Sequence, residues 1–128
     1  MRVFVDTNSW LRSAAWRIDI WREAARIVPG KTELIAIDKV IAELEGLKAA
    51  GGTLAQEAKL SLSLLRQKNV LVIKTVGGVM ADDALVEVAQ EQDFVITQDQ
   101  ELKRRLKQKR VGVIVIRGQD HLEMENKT

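Results

Sequence analysis

Phe94-Val95-Ile96-Thr97, then Gln98-Asp99, a charged stretch from Gln100 to Lys109, and Val113-Ile114-Val115-Ile116: residues 94–116 decide the fold. Two continuously apolar, β-branched runs flank a polar, helix-favouring segment, and a strand apolar on both faces must be covered on both faces. A helix joining two such strands returns the second parallel to the first. The same alternation extends upstream. Val3-Phe4-Val5 reads as a strand closed by Asp6-Thr7-Asn8, whose residue types favour a turn. A helix from about Leu11 to Val28, with Trp16, Ile20, Ala24 and Ile27 at helical spacing, stops at Pro29-Gly30. Leu34 to Ile37 is the second strand, and Asp38 is the expected N-cap of a helix carrying Val40, Ile41, Leu44 and Leu47 on one face, broken by Gly51-Gly52. A helix from Ala55 to Gln67, a strand from Val70 to Ile73, a loop at Gly77-Gly78 and a helix from Asp82 to about Gln92 complete the pattern. Five apolar strands alternating with helices predict an α/β three-layer sandwich around a five-stranded parallel sheet. One domain over residues 1–122 is expected, with a loose tail over 123–128.

Composition narrows the function. The 128 residues are 46% hydrophobic with a single Pro, a globular composition. The absence of Cys excludes disulfide scaffolds, thiolate metal sites and cysteine nucleophiles. No apolar run approaches the ~20 residues of a membrane span, and Asp6 interrupts what would be a signal peptide, so a cytoplasmic protein is expected. Charge is nearly balanced, 20 basic against 18 acidic residues, but unevenly placed: six of the nine residues from Leu102 to Arg110 are basic. Several acids instead stand singly at the ends of apolar runs.

That placement carries chemistry. In open parallel sheets ligands bind beyond the carboxyl ends of the strands. Asp6 follows strand one, Asp38 strand two and Asp99 strand four, while Asp82 and Asp83 sit in the connection after strand three. Glu43, about one turn into its helix, can lean toward the same edge. Clustered carboxylates repel one another unless protonated or bridged by a cation, and hard oxygen ligands select Mg²⁺, with Mn²⁺ as a substitute. Such an ion activates water and neutralises charge on a phosphodiester, and Lys103, Arg104 and Arg105 would hold the polyanion. The combination points to a metal-dependent nuclease.

Val5-Asp6-Thr7-Asn8, Val40-Ile41-Ala42-Glu43-Leu44, Asp83-Ala84-Leu85-Val86 and Thr97-Gln98-Asp99 followed by a basic helix resemble, in order, the successive motifs of the PIN-domain ribonucleases. This family includes the VapC toxins of toxin–antitoxin pairs and rRNA-processing proteins. The resemblance implies that Asp6, Glu43, Asp83 and Asp99 hold Mg²⁺ or Mn²⁺ and activate water for RNA hydrolysis. Asn8 and Thr97 would be polar groups behind the ligands, and Asp82 a cap or outer ligand. It implies a strand order 3-2-1-4-5, an RNA substrate, a homodimer and, for a toxin, a cognate antitoxin. Helical spacing does not choose between Glu43 and Glu45; the family's Glu-Leu pattern favours Glu43. Asp82 and Asp83 are adjacent at a helix start, and the Asp-Ala-Leu-Val continuation favours Asp83.

Ordinary readings stand beside these. Asp6 suits a turn, Asp82, Asp83 and Asp99 suit the first turn of any helix, and a basic run is by default a solvated face. A haloacid-dehalogenase-type phosphatase would need an acid where Asn8 stands, and a receiver domain a Lys where Arg117 stands. A non-catalytic PIN-like module binding RNA or protein is the remaining alternative, separated by metal affinity. Trp10, Trp16 and Trp21 are expected at a subunit interface, and His121 is incidental.

Overall fold

The computed structural model describes residues 1–126. Strands β1 (Arg2–Val5), β2 (Glu33–Ile37), β3 (Leu71–Ile73), β4 (Phe94–Ile96) and β5 (Gly112–Arg117) form a parallel sheet in the order β3-β2-β1-β4-β5. The expected class and strand order are therefore present, but the sheet has six strands: β6 (His121–Asn126) pairs antiparallel with β5. Gly118 and Gln119 both take positive φ, which turns the chain back within a few residues. Leu122 is fully buried and Met124 packs against the core, so apolar residues alternate with Glu123 and Glu125 as a half-buried strand requires. The tail expected from Glu123 is thus structured through Asn126, while Lys127 and Thr128 lie outside the described residues. Helix α2 (Ile20–Ile27) holds β6: Glu23 accepts the Leu122 N–H at 3.0 Å and Arg26 donates to the Leu122 carbonyl at 2.8 Å.

The single helix expected from Leu11 to Val28 is two. α1 (Thr7–Trp16) ends at Arg17, which adopts φ 55°, and Asp19 caps α2 by accepting the Arg22 N–H. The spacing misled because Ile18 in the break is itself buried and prolongs the apolar series. Trp10 is 1% exposed and packs against Trp21 with centroids 5.6 Å apart, so Trp10 belongs to the chain's own core, while Trp16 and Trp21 are only partly buried against it. α3 (Asp38–Ala50), α4 (Ala55–Gln67), α5 (Ala81–Val88) and α6 (Gln100–Gln108) complete the helices. Asp38 is the first residue of α3, not its N-cap. Its carboxylate accepts from the Thr75 hydroxyl at 2.6 Å and the Thr75 N–H at 3.2 Å, which ties down the loop after β3 and holds its pKa below the usual carboxylate range. Among the described residues no helix is long and apolar enough to cross a membrane.

The crossovers from β1 to β2 and β2 to β3 run one way across the sheet, and those from β3 to β4 and β4 to β5 run the other. Because parallel crossovers are right-handed, the two sets of helices cover opposite faces. The strand order reverses between β1 and β4, both buried throughout except at Arg2. Gly112 faces Phe94 in the register of β4 and β5, and a Cβ on Gly112 would stand 2.4 Å from the Phe94 ring. Gly112→Ala is expected to overpack the core and cost about 1–3 kcal/mol. A urea midpoint equal to that of wild type would show that the Phe94 ring can yield.

Candidate active site

At the strand-order reversal, β1 pairs with β4 in the register Val5 to Ile96, so Asp6 and Thr97 leave the sheet side by side. The Asp6 backbone N–H donates to the Ile96 carbonyl at 3.1 Å, fixing the point of departure. Asp6 then caps α1, its Oδ1 accepting the Ser9 N–H at 2.8 Å, while the Thr97 hydroxyl donates to Oδ2. Thr97 also accepts the Asp99 N–H at 3.1 Å and so couples the two acids through one hydroxyl. Asp99 caps α6 by accepting the Leu102 N–H at 2.7 Å. The capping readings and the clustering are therefore both true: the caps orient these carboxylates at the sheet edge.

Glu43 reaches the same place from the second turn of α3, where its Oε1 accepts the Thr7 hydroxyl. Asp82 arrives from the first turn of α5. Asp6, Asn8, Glu43, Asp82, Asp83, Asp99 and Arg105 all line one cleft of about 740 Å³. Of the two glutamates, Glu43 lines this cleft, whereas Glu45 lies in a separate apolar groove with Ile41 and Leu62.

The electrostatics separate the paired aspartates. Burial raises the pKa of Asp6, which is 6% exposed, and the neighbouring Asp99 charge adds to the rise against the Ser9 and Thr97 hydrogen bonds. Asp82 is raised by burial and by the charges of Asp99, Asp6 and Glu43 together. Asp82 thus shares the field of the other three acids. Asp83, which the family pattern favours, instead pairs through Oδ1 with Arg105 at 2.8 Å.

The basic helix divides too. Lys103 is 5% exposed and its ammonium pairs with Glu125 of β6 at 3.2 Å, so it braces the sheet. On α6 Lys103, expected to contact RNA, falls on the buried face with Leu102 and Leu106. Arg104 is exposed and pairs with Glu101, and Arg105 stands at the cleft. His121 sits between Asp120 and Glu123 at the β5–β6 turn, apart from the cleft.

Sequence reading missed Thr7, Gly46 and Met80 as cleft residues. Thr7 lay inside the first quoted motif, but its bond to Glu43 needs the packing of α1 on α3. It also missed Asp93, a buried acid held by Arg2 at 2.6 Å and by the Gln90 N–H, which serves the opposite end of β4.

Among the described residues, no three His, Cys, Asp or Glu side chains meet closely enough to cage an ion. A carboxylate-rich cleft nevertheless suits Mg²⁺ or Mn²⁺, because Mg²⁺ keeps several waters and needs only one or two carboxylates with substrate phosphate. The buried Asp6 and the mutually repelling Asp82 and Asp99 are the donors that a hard cation would relieve.

Residues 3–119 match the family described as PIN like domain. Ribonuclease VapC4 of Methanocaldococcus jannaschii is 27% identical over 126 residues, covering 96% of this chain and 95% of that protein. The PIN domain endonuclease Utp24 superposes with a TM-score of 0.83 at 23% identity, over 99% of this chain and 92% of that one. VapBC-1 from nontypeable Haemophilus influenzae superposes with a TM-score of 0.57 at 14% identity, over 84% of this chain and 94% of that one.

Proposed function

Because the chain belongs to the PIN-like domain family, we propose that it is a divalent-metal-dependent endoribonuclease of the VapC type, hydrolysing RNA phosphodiesters in the acidic cleft. The observation that carries this is the convergence of Asp6, Glu43, Asp82 and Asp99, from four separate segments, on one cleft, where burial and then the charges of Asp99, Asp6 and Glu43 raise the pKa of Asp82. Likeness to Ribonuclease VapC4 supports the toxin type, and with it a cognate antitoxin as partner.

A Mg²⁺ or Mn²⁺ ion, when bound, supplies an acidified water and neutralises charge building on the phosphate. Asp6, Glu43, Asp82 and Asp99 would hold it, one or two of them directly and the others through its retained waters. The chain contributes preorganisation: Ser9 and Thr97 fix both oxygens of Asp6, the Leu102 N–H fixes Asp99 and Thr7 fixes Glu43. Arg105 and Arg104 meet the RNA phosphates, and Asp83 positions Arg105 at the rim through their ion pair.

Asp82 and Asp83 give a direct test. Asp82→Asn is expected to lose Mn²⁺ binding by calorimetry and about 10²-fold or more in kcat. Asp83→Asn is expected to keep Mn²⁺ binding and to raise KM for RNA, because it releases only the positioned arginine. The reverse outcome would return the ligand role to Asp83. RNA cleavage unaffected by EDTA would overturn the metal-dependent reading itself.

A further inference from the structure

Helix α3 carries a glycine that its packing does not require. Gly46 lies within the helix with ordinary φ, and a Cβ there would meet nothing within 4 Å. Neither backbone conformation nor a neighbouring atom excludes a side chain, yet glycine weakens a helix interior relative to alanine. Gly46 does line the acidic cleft, three residues after Glu43, with Leu47 beside it. Met80, which precedes α5, lines it as well and is 71% exposed, the most exposed large apolar side chain among the described residues. α3 and α5 pack against each other, so these groups come from two elements in contact. Beside the carboxylates, Thr7, Asn8 and Arg105, the lining therefore has an apolar portion that includes Gly46, Leu47 and Met80.

The geometry points to a nucleobase seat: the open space over Gly46, bordered by Leu47 and Met80, receives one unpaired base of the RNA strand whose phosphate lies at the carboxylates. The inference rests on the ribonuclease reading and deepens it. A nucleotide has the same two-part chemistry as the cleft, an anionic phosphate that a cation bridges to carboxylates and a flat base with an apolar face. The methionine thioether is soft and polarisable, suited to the edge or face of a π-system. A base inside a duplex has both faces stacked and offers none to this surface, so the seat selects single-stranded RNA. Glycine keeps the space that any side chain at position 46 would fill.

The test scans an abasic ribonucleotide along a short single-stranded RNA that the protein cuts, reading KM and kcat for wild type, Gly46→Leu and Met80→Ser. Melting temperature and Mn²⁺ binding are measured alongside. In wild type, one abasic position next to the cut phosphate is expected to raise KM about tenfold. In Gly46→Leu that penalty is expected to fall to about twofold or less, because the intact base is already excluded, and KM on the unmodified RNA rises about tenfold. Gly46→Leu should melt no lower than wild type and bind Mn²⁺ equally, since the helix gains a better former and the carboxylates are untouched. Met80→Ser should reduce the abasic penalty in the same direction. A wild type that cuts RNA with no abasic penalty at any position overturns the seat alone, as does an unchanged penalty in Gly46→Leu. A wild type that neither cuts RNA nor binds Mn²⁺ overturns the seat together with the nuclease reading.

Discussion

Asp6→Asn is expected to abolish RNA cleavage, by about 10³-fold or more in kcat, while the metal-free protein melts at a higher temperature than wild type. The two effects have one cause. Asp6 is 6% exposed, and its burial raises its pKa, so its ionised form is disfavoured in the folded chain. Asn is uncharged, yet its Oδ1 can still accept the Ser9 N–H and its amide can donate to Thr97, so the capping geometry survives. A residue kept for its contribution to the fold would show the opposite pattern, lower stability with activity lost in proportion. Calorimetric melting in EDTA beside a cleavage assay distinguishes the two.

Mn²⁺ at about 100 times its Kd is expected to raise the melting temperature by about 10 °C at neutral pH, equivalent to about 2.7 kcal/mol of linkage. The increment should shrink on acidification. Asp6 and Asp82 both have folded pKa values above their unfolded ones. Their contribution to stability is fully present below the unfolded carboxylate range and is lost as pH rises through the raised folded values. His121, also raised, by hydrogen bonds to Asp120 and Glu123, acts in the same sense. The metal-free protein should therefore become more stable as pH falls from neutral toward the unfolded carboxylate range. Asp38 and Glu23 oppose this at lower pH, because the contribution of their depressed folded values is full only above the unfolded carboxylate range and is lost as pH falls from there through the folded values. Protons and Mn²⁺ compete for Asp6 and Asp82, so the metal increment falls over the same window. A Mn²⁺ shift equal at pH 5 and pH 8, or unchanged in Asp6→Asn, would place the ion elsewhere.

Much of this was legible in the chain because parallel strands are apolar on both faces and their C-terminal neighbours must be polar. Val3-Phe4-Val5 before Asp6 and Phe94-Val95-Ile96 before Thr97 carry that signature, and the observed strand order places them side by side. Side-chain direction on helices was harder to read. Asp82 and Asp83 are adjacent at the start of α5, and only the position of α6, which brings Arg105 to Asp83, assigns them different partners. Lys103 belonged to a basic run but falls on the buried face of α6, a consequence of helical phase that charge counting ignores. The sixth strand was hidden because His121–Asn126 is polar at alternate positions, and its burial depends on β5 and α2 being already in place. Gly46 carries no signal of its own within an otherwise ordinary helix, and only the packing that forms the cleft gives its position a meaning.

The central claim, that this cleft cuts RNA with a divalent cation, is tested most directly by incubating purified protein with single-stranded RNA in Mn²⁺, in Mg²⁺ and in EDTA, beside Asp6→Asn. The account predicts internal cleavage with either ion, none in EDTA, and none by the variant under any condition. Cleavage that persists in EDTA, or at wild-type rate in Asp6→Asn, would contradict it.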